Sequence, residues 1–140
     1  MVERQKAGAV RLPARGHMPR MRVLVVEDDD DTRRLMEIEL GEAGYDVIAA
    51  LDGQHALRLV KTARPKVLLV DLGLPLMSGD EFVRRWRASA DVKDVSVVIV
   101  SGREDAAEVA ETLGIERVIA KPFRIEDLLA TVAQCAHPVV

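Results

Sequence analysis

Side chains that can bind a cation or hold a phosphate oxygen follow directly after apolar segments at four places in the chain. These side chains belong to Glu27, Asp28, Asp71, Ser101 and Lys121. Carboxylate oxygens are the ligands that hard divalent cations take, and an ammonium or a hydroxyl can hold phosphate oxygens. The residue types therefore indicate phosphoryl chemistry, with Asp71 as the predicted nucleophile, if the fold brings them together.

The first apolar segment leads into a block of negative charge. In the run VLVVEDDDD, four apolar residues precede acids at positions 27 to 31. Crowded carboxylates need a counter-charge to stay ionised, and Mg2+ supplies one while taking oxygen ligands. We expect Glu27 and Asp28 to share a pocket and a Mg2+ ion with Asp71, Mn2+ being an alternative. The acids at 29 to 31 should start a helix, where the macrodipole favours them.

Five short segments, four of them rich in Val, Ile or Leu, alternate with five amphipathic segments, and this pattern must position the candidate residues. The predicted strands are Arg22–Val26, Asp46–Ala50, Val67–Val70, Val95–Val100 and Arg117–Ala120. The predicted helices are Asp31–Ala43, Asp52–Ala63, Asp80–Ala88, Glu104–Leu113 and Ile125–Ala136. Such alternation predicts an α/β fold, a single doubly wound parallel sheet of five strands in the order 2-1-3-4-5.

The candidate residues follow strands one, three, four and five of this predicted sheet. Ligands bind at the carboxyl ends of parallel strands, so all of these side chains should lie on one rim. Each residue taken alone is better explained as a surface acid, a turn hydroxyl or an exposed lysine. Because they occur together at the ends of four strands, a shared site explains them better than four separate surface roles.

Length and composition limit the remaining possibilities. A chain of 140 residues suits one domain, predicted at 21–137, with 1–20 as a disordered or tag-like leader and 138–140 as a tail. The net charge of −3 gives no support to a nucleic-acid surface, and the apolar runs are too short to span a membrane. The single cysteine, Cys135, excludes an intramolecular disulfide and suits a cytoplasmic location.

Four stretches of this sequence resemble the receiver domain of bacterial two-component response regulators. They are VLVVEDDDDTRRLM, VLLVDLGLPLMSGDEF, VVIVSGRED and VIAKPF, which with their surroundings extend from Met21 to about Ala136. The spacing of Asp71, Pro75 and Gly79 and the triplet at 121–123 carry most of the specificity. The family includes the chemotaxis regulator and the sporulation phosphorelay regulator, and its fold is the flavodoxin-like or CheY-like (βα)5 arrangement.

The resemblance implies how the cation is held. Asp28 would bind Mg2+ directly and Glu27 through a water molecule. Asp71 and the backbone carbonyl of Gly73 would complete the protein ligands.

The resemblance also implies how the phosphoryl group is held. Asp71 would be the phosphoacceptor, Ser101 would grip a phosphoryl oxygen and Lys121 would pair with the group. The bond before Pro122 would be cis, and Gly102 would leave room for the donor's phosphohistidine.

The implied partners are proteins. A sensor histidine kinase or a histidine phosphotransfer protein would be the donor, and a downstream protein target would read the phosphorylated state. Because no output domain follows Val140, we expect signalling by protein contact, with no nucleic acid or membrane bound by this domain. The chain would be a signalling domain and not an enzyme.

Three departures from the family pattern matter. Val118 replaces the usual Tyr or Phe, so the aromatic switch that couples to Ser101 is missing in its usual form. The stretch from Ser101 to Lys121 is roughly two residues short, so the fourth helix should be short or reshaped, and we expect output through another surface or motion. Near the phosphoryl group, Gly73 has no side chain to position a water, and Arg103 is predicted to shield the acyl phosphate.

Other classes of function fit the residues less well. A haloacid-dehalogenase-like phosphatase needs a second acid where this chain has Gly73, and a dinucleotide site needs a glycine fingerprint that does not follow the first strand. A pseudo-receiver that acts without phosphorylation remains the main alternative. Against it, the chain retains the phosphorylation residues Asp71, Ser101 and Lys121. In its favour, Val118 replaces the aromatic residue of the usual switch.

Overall fold

The computed structural model describes residues 20–89, 92 and 94–136. All but the last residue of the predicted leader, and all of the predicted tail, lie outside this range. The strands are β1 Arg22–Val26, β2 Asp46–Ala50, β3 Val67–Val70, β4 Ser96–Ser101 and β5 Arg117–Ala120. The helices are α1 Asp30–Glu42, α2 Gly53–Ala63, α3 Gly79–Ser89, α4 Ala106–Leu113 and α5 Ile125–Ala136.

The five strands form one parallel sheet in the order β2-β1-β3-β4-β5, which confirms the predicted fold. The central strand β3 is buried along its whole length, as its unbroken apolar sequence predicts for a strand covered on both faces. Strand β2 lies at an edge of the sheet and is only partly buried.

The core consists of two layers, one on each face of the sheet, because successive strand residues point to opposite faces. Leu24 and Val26 of β1 belong to the layer covered by α2, α3 and α4. Val23 and Val25 belong to the layer covered by α1 and α5, with Cys135 partly buried at its margin. No helix in the described part of the chain has the length and apolar character needed to cross a bilayer.

Several predicted boundaries were wrong by one or two residues, and local hydrogen bonds explain two of the shifts. Helix α1 begins at Asp30, one residue early, because the Asp29 carboxylate caps it by accepting from the Thr32 amide. Strand β4 runs from Ser96 to Ser101 because Ser101 still pairs with β5.

The other helix shifts are small. Helix α2 begins one residue after Asp52, which caps it, and α3 is one residue longer at each end than predicted. Helix α4 begins at Ala106, two residues later than predicted, and has eight residues. It is the shortest helix in the described part of the chain, as the reduced spacing between Ser101 and Lys121 predicted.

Candidate functional site

The predicted site residues meet at the carboxyl ends of β1, β3, β4 and β5. Glu27 follows β1, and the Asp71 amide donates to the Val26 carbonyl at 3.1 Å, which continues the β1–β3 ladder. The Lys121 amide donates to the Ser101 carbonyl at 3.1 Å, which does the same for β4 and β5. The sheet itself therefore fixes the backbone of each of these residues.

Three carboxylates gather at this rim. One oxygen from each of Glu27, Asp28 and Asp71 lies within 4.8 Å of the other two. Glu27 is 2% exposed and Asp71 8% exposed, whereas Asp28 is exposed to solvent. This set of oxygen donors, partly buried and open on one side, fits a hard divalent cation that retains water ligands.

The Lys121 ammonium lies between two of these carboxylates. Its Nζ donates to Glu27 Oε1 at 2.6 Å and to Asp71 Oδ2 at 3.0 Å. Burial alone would lower the pKa of Lys121, but these two hydrogen bonds and the two negative charges outweigh burial and raise it. The lysine therefore stays charged and holds the two buried carboxylates together.

Charge in the cluster remains unbalanced even with this lysine. Burial raises the pKa of Glu27, although the hydrogen bonds from Lys121 and the Asp29 amide oppose that effect. When all three carboxylates are ionised, a single ammonium leaves an excess of two negative charges. A bound divalent cation would neutralise them, so the charge and the donor set agree.

The loop after β3 folds back under the candidate phosphoacceptor. Asp71 Oδ1 accepts from the Gly73 amide at 3.0 Å, which fixes the carboxylate, and the Gly79 amide donates to the Leu72 carbonyl at 3.1 Å. A Cβ at Gly79 would overlap the Asp71 carbonyl oxygen and lie 2.8 Å from Val70 Cγ1. Only glycine at position 79 allows this close approach of the loop to the backbone of Asp71, the residue that follows β3.

The segments that follow β4 and β5 contact each other beside the cluster. The buried Ser101 Oγ accepts from the Arg103 amide at 3.2 Å. A Cβ at Gly102 would lie 3.7 Å from Lys121 Cβ, which is ordinary contact distance. The bond between Lys121 and Pro122 is cis, as the family resemblance implied.

The Arg103 side chain has partners that the sequence did not reveal. Its Nε and Nη2 donate to Asp105 at 2.9 and 2.8 Å, and its Nη1 lies 3.7 Å from Asp80 Oδ1. Burial would raise the pKa of Asp80, but hydrogen bonds and the charges of Arg84 and Arg103 lower it overall. The sequence could have indicated Asp105 as a partner because it lies two residues after Arg103. Nothing in the sequence pattern connects Arg103 with Asp80.

Val118 lies on β5 with about a third of its surface exposed. The structure thus places a small aliphatic side chain where the family pattern has an aromatic ring. An isopropyl group cannot rotate between exposed and buried positions as an aromatic ring would, so the absence of the usual aromatic switch at Val118 stays a prediction.

Comparison with known proteins gives the family. The sequence model of the response regulator receiver domain matches residues 23–133. The virulence transcriptional regulatory protein PhoP of Salmonella typhimurium is 39% identical over 114 residues, which are 79% of this chain and 49% of that protein. The response regulator MprA of Mycobacterium avium is 35% identical over 112 residues, covering 79% of this chain and 48% of the relative.

Solved structures agree with the sequence comparison. The chemotaxis protein CheY4 of Vibrio cholerae matches 84% of this chain and 99% of its own, with a TM-score of 0.77 and 29% identity. This chain spans about half the length of the curated relatives that it matches. Receiver domains of this kind are signalling domains that bind Mg2+ through acidic residues and interact with histidine kinases or phosphotransfer proteins. With strand order, rim residues and both comparisons in agreement, this chain belongs to the response regulator receiver domain family.

Proposed function

We propose that this receiver domain accepts a phosphoryl group on Asp71 from a phosphohistidine of a sensor histidine kinase or a histidine phosphotransfer protein. An Asp71 oxygen bonds to phosphorus while the nitrogen–phosphorus bond breaks, and the histidine nitrogen keeps the bonding pair. The observation that carries the proposal is the cluster of Glu27, Asp28 and Asp71 oxygens within 4.8 Å, with Lys121 bonded to two of them.

The residues of the chain have separate roles in this proposal. Glu27, Asp28, Asp71 and the Gly73 carbonyl hold Mg2+, which would supply positive charge to the transferring oxygens. Lys121 turns from Glu27 toward the phosphoryl group, while the Ser101 hydroxyl donates to another of its oxygens. The three carboxylates already lie together before transfer, so the main rearrangement that stabilises the developing charge is the movement of the Lys121 ammonium.

Signalling then depends on a change of state. The aspartyl phosphate favours the arrangement in which Ser101 and Lys121 close on it, and only this differential affinity shifts the population. A surface of another protein, or of another part of a longer chain, reads the change. We assign the domain to residues 21–137. We also propose a cytoplasmic location, because a chain with a single cysteine suits a reducing compartment.

A titration of the wild-type protein with beryllofluoride in the presence of Mg2+ tests the proposal. Trp86 is the only tryptophan, and it stacks on Phe82 in α3, whose first residue contacts the Asp71 backbone. We expect a saturable change in Trp86 fluorescence that is lost in Asp71→Asn and kept in Asp31→Asn, a nearby exposed acid. Equal changes in wild type and Asp71→Asn would contradict the proposed function.

A phosphorylation-independent binding module is the second candidate, and Val118 is the observation that favours it. In that case the domain would be recognised by its partner in one fixed state. The fluorescence titration separates the two candidates, because a fixed-state module gives no saturable response that depends on Asp71.

Arg103 should affect how long the phosphoryl group persists. Its guanidinium is long enough to cover the acyl phosphate, and Gly73 offers no side chain to orient an attacking water. We expect the aspartyl phosphate of Arg103→Ala to hydrolyse up to about fivefold faster than that of wild type. A half-exposed charge such as Arg103 stabilises a partner by roughly 1 kcal/mol. The decay of the phosphorylated protein measures this, with Arg34→Ala on α1 as the control. An unchanged lifetime in Arg103→Ala would refute the shielding role.

A further inference from the structure

Helix α4 begins with an aspartate that does not cap it. Asp29 and Asp52, the capping residues of α1 and α2, each accept a hydrogen bond from the amide three residues later. Asp105 holds the same position before α4, yet its side chain accepts no bond from the helix. Glu108, three residues on, completes a sequence pattern typical of a capping box. The sequence is thus suited to a cap that is not formed in this structure.

Arg103 binds the Asp105 carboxylate that would otherwise be able to cap the helix. Its guanidinium makes two hydrogen bonds to both Asp105 oxygens, at 2.9 and 2.8 Å. The Asp105 backbone, at φ −91° and ψ 12°, is not in the extended conformation of a capping residue. Breaking this pair and opening the turn at 103–105 would therefore be needed before Asp105 could cap α4.

The Arg103–Asp105 pair is weak enough to be displaced. The two side chains are 38% and 47% exposed, and ion pairs at such positions contribute little to stability. An acceptor that is more highly charged and less exposed would displace Asp105 as the partner of Arg103. An acyl phosphate carries roughly two negative charges and offers the paired oxygens that guanidinium prefers.

Arg103 lies close enough to the phosphoacceptor to respond to it. Its backbone amide bonds Ser101, and its Nη1 lies 3.5 Å from the carbonyl oxygen of Leu72, the residue after Asp71. The pKa of Arg103 is raised, first by the hydrogen bonds to Asp105 and to a lesser degree by the Asp71 charge. The arginine therefore already interacts electrostatically with the residue that would be phosphorylated.

Asp80 provides a second holding point for the arginine. Its Oδ1 is buried without a hydrogen-bond partner among the described residues and lies 3.7 Å from Arg103 Nη1. A buried carboxylate oxygen that lacks a hydrogen bond is costly, so it attracts this cation. The guanidinium is held by Asp80 and Asp105 from different elements, α3 and the start of α4.

We propose that Asp105 is a positioning residue in a switch: Arg103 holds it away from α4 until phosphorylation of Asp71 draws the arginine to the phosphoryl oxygens and frees Asp105 to cap the helix. The switch rests on the proposed function for its trigger. It gives the domain a route from Asp71 to α4 that does not need an aromatic ring at Val118. The first turn of α4 becomes more stable, and the turn at 103–105 changes shape.

The first arm of the test needs no phosphorylation. Amide hydrogen exchange is measured over the first turn of α4, at Ala107 and Glu108, in wild type and Arg103→Ala. Removal of the arginine frees Asp105, so exchange should slow about fivefold, which corresponds to ~1 kcal/mol for a helix cap. Adding Asp105→Ala to Arg103→Ala should abolish the slowing. Unchanged exchange in Arg103→Ala would overturn the switch.

The second arm adds the trigger. With beryllofluoride and Mg2+, exchange in the first turn of α4 should slow in wild type and remain fast in Asp105→Ala. Asp105→Asn still caps a helix but pairs weakly with arginine, so its exchange should be slow before and after addition. Slowing in Asp105→Ala equal to that in wild type would also overturn the switch.

A lifetime measurement distinguishes positioning from simple helix stability. In Asp105→Asn, Arg103 is released to the phosphoryl group, so the aspartyl phosphate should persist about twofold to fivefold longer than in wild type. Glu104→Gln, an exposed acid in the same turn, is the matched control and should match wild type. A shorter or unchanged lifetime in Asp105→Asn would contradict the positioning role. If Asp71 accepts no phosphoryl group, the proposed function fails, and the first arm still decides whether Arg103 restrains the cap.

Discussion

Gly79→Ala should destabilise the protein by about 3 kcal/mol, the upper part of the range for added volume in a packed site. The new methyl group would overlap the Asp71 carbonyl oxygen and lie 2.9 Å from the Asp71 carbonyl carbon. The Asp71 backbone, which is hydrogen-bonded to Val26 of β1, cannot move aside as a flexible side chain can. The loop at 72–79 must shift instead, and with it the hydrogen bond from the Gly73 amide that fixes the Asp71 carboxylate. Urea denaturation measures the loss of stability.

A second glycine gives the matched control for this measurement. Gly41 lies within α1, and a Cβ there would meet no atom within 4 Å. Gly41→Ala should therefore stabilise the protein by about 0.5–1 kcal/mol, since alanine loses less entropy in a helix. Similar changes in stability for Gly79→Ala and Gly41→Ala would contradict the account of the loop.

Lys121→Met should have the other large effect. It removes the ammonium between Glu27 and Asp71 and leaves two buried carboxylates facing each other. Loss of one partner from a buried pair costs roughly 3–5 kcal/mol, and the 23% exposure of Lys121 reduces this to about 2 kcal/mol. We expect that loss in urea denaturation with EDTA present, and partial recovery when Mg2+ is added.

The recovery is the informative part of this experiment. Without the lysine, a cation among Glu27, Asp28 and Asp71 supplies the missing positive charge, so Mg2+ should stabilise Lys121→Met more than wild type. Lys61→Met, at an exposed lysine of α2, should change stability little with or without Mg2+. An equal effect of Mg2+ on wild type and Lys121→Met would contradict the claim that the ion replaces the missing lysine charge in this cluster.

The architecture was predictable because it depends on patterns that extend over whole segments. Alternating apolar strands and amphipathic helices identified ten elements, and Ile125–Ala136 was predicted with both ends correct. The position of Glu27, Asp71, Ser101 and Lys121 on one rim followed from parallel strands alone. Boundaries were less accurate where a single hydrogen bond decides them, as at Asp29 and Ser101.

The pairing of charged side chains could not be predicted in the same way. Lys121 was expected to face a phosphoryl group, and in this state it bonds Glu27 and Asp71. Arg103 was expected to shield the acyl phosphate, and in this state the structure pairs it with Asp105 and Asp80. Such contacts depend on rotamers and on loop shape, which leave no period in the sequence. They are also the contacts that determine how the site would respond to phosphorylation.

Phosphorylation with a small donor tests the central claim most directly, because it needs no partner protein. Phosphoramidate, which carries a phosphorus–nitrogen bond as phosphohistidine does, is incubated with the protein and Mg2+, and the product is analysed by intact mass and peptide mapping. The account predicts a single phosphoryl group on the peptide that contains Asp71, absent in Asp71→Asn and when EDTA replaces Mg2+. Equal labelling of Asp71→Asn, or a phosphoryl group on another residue, would contradict it.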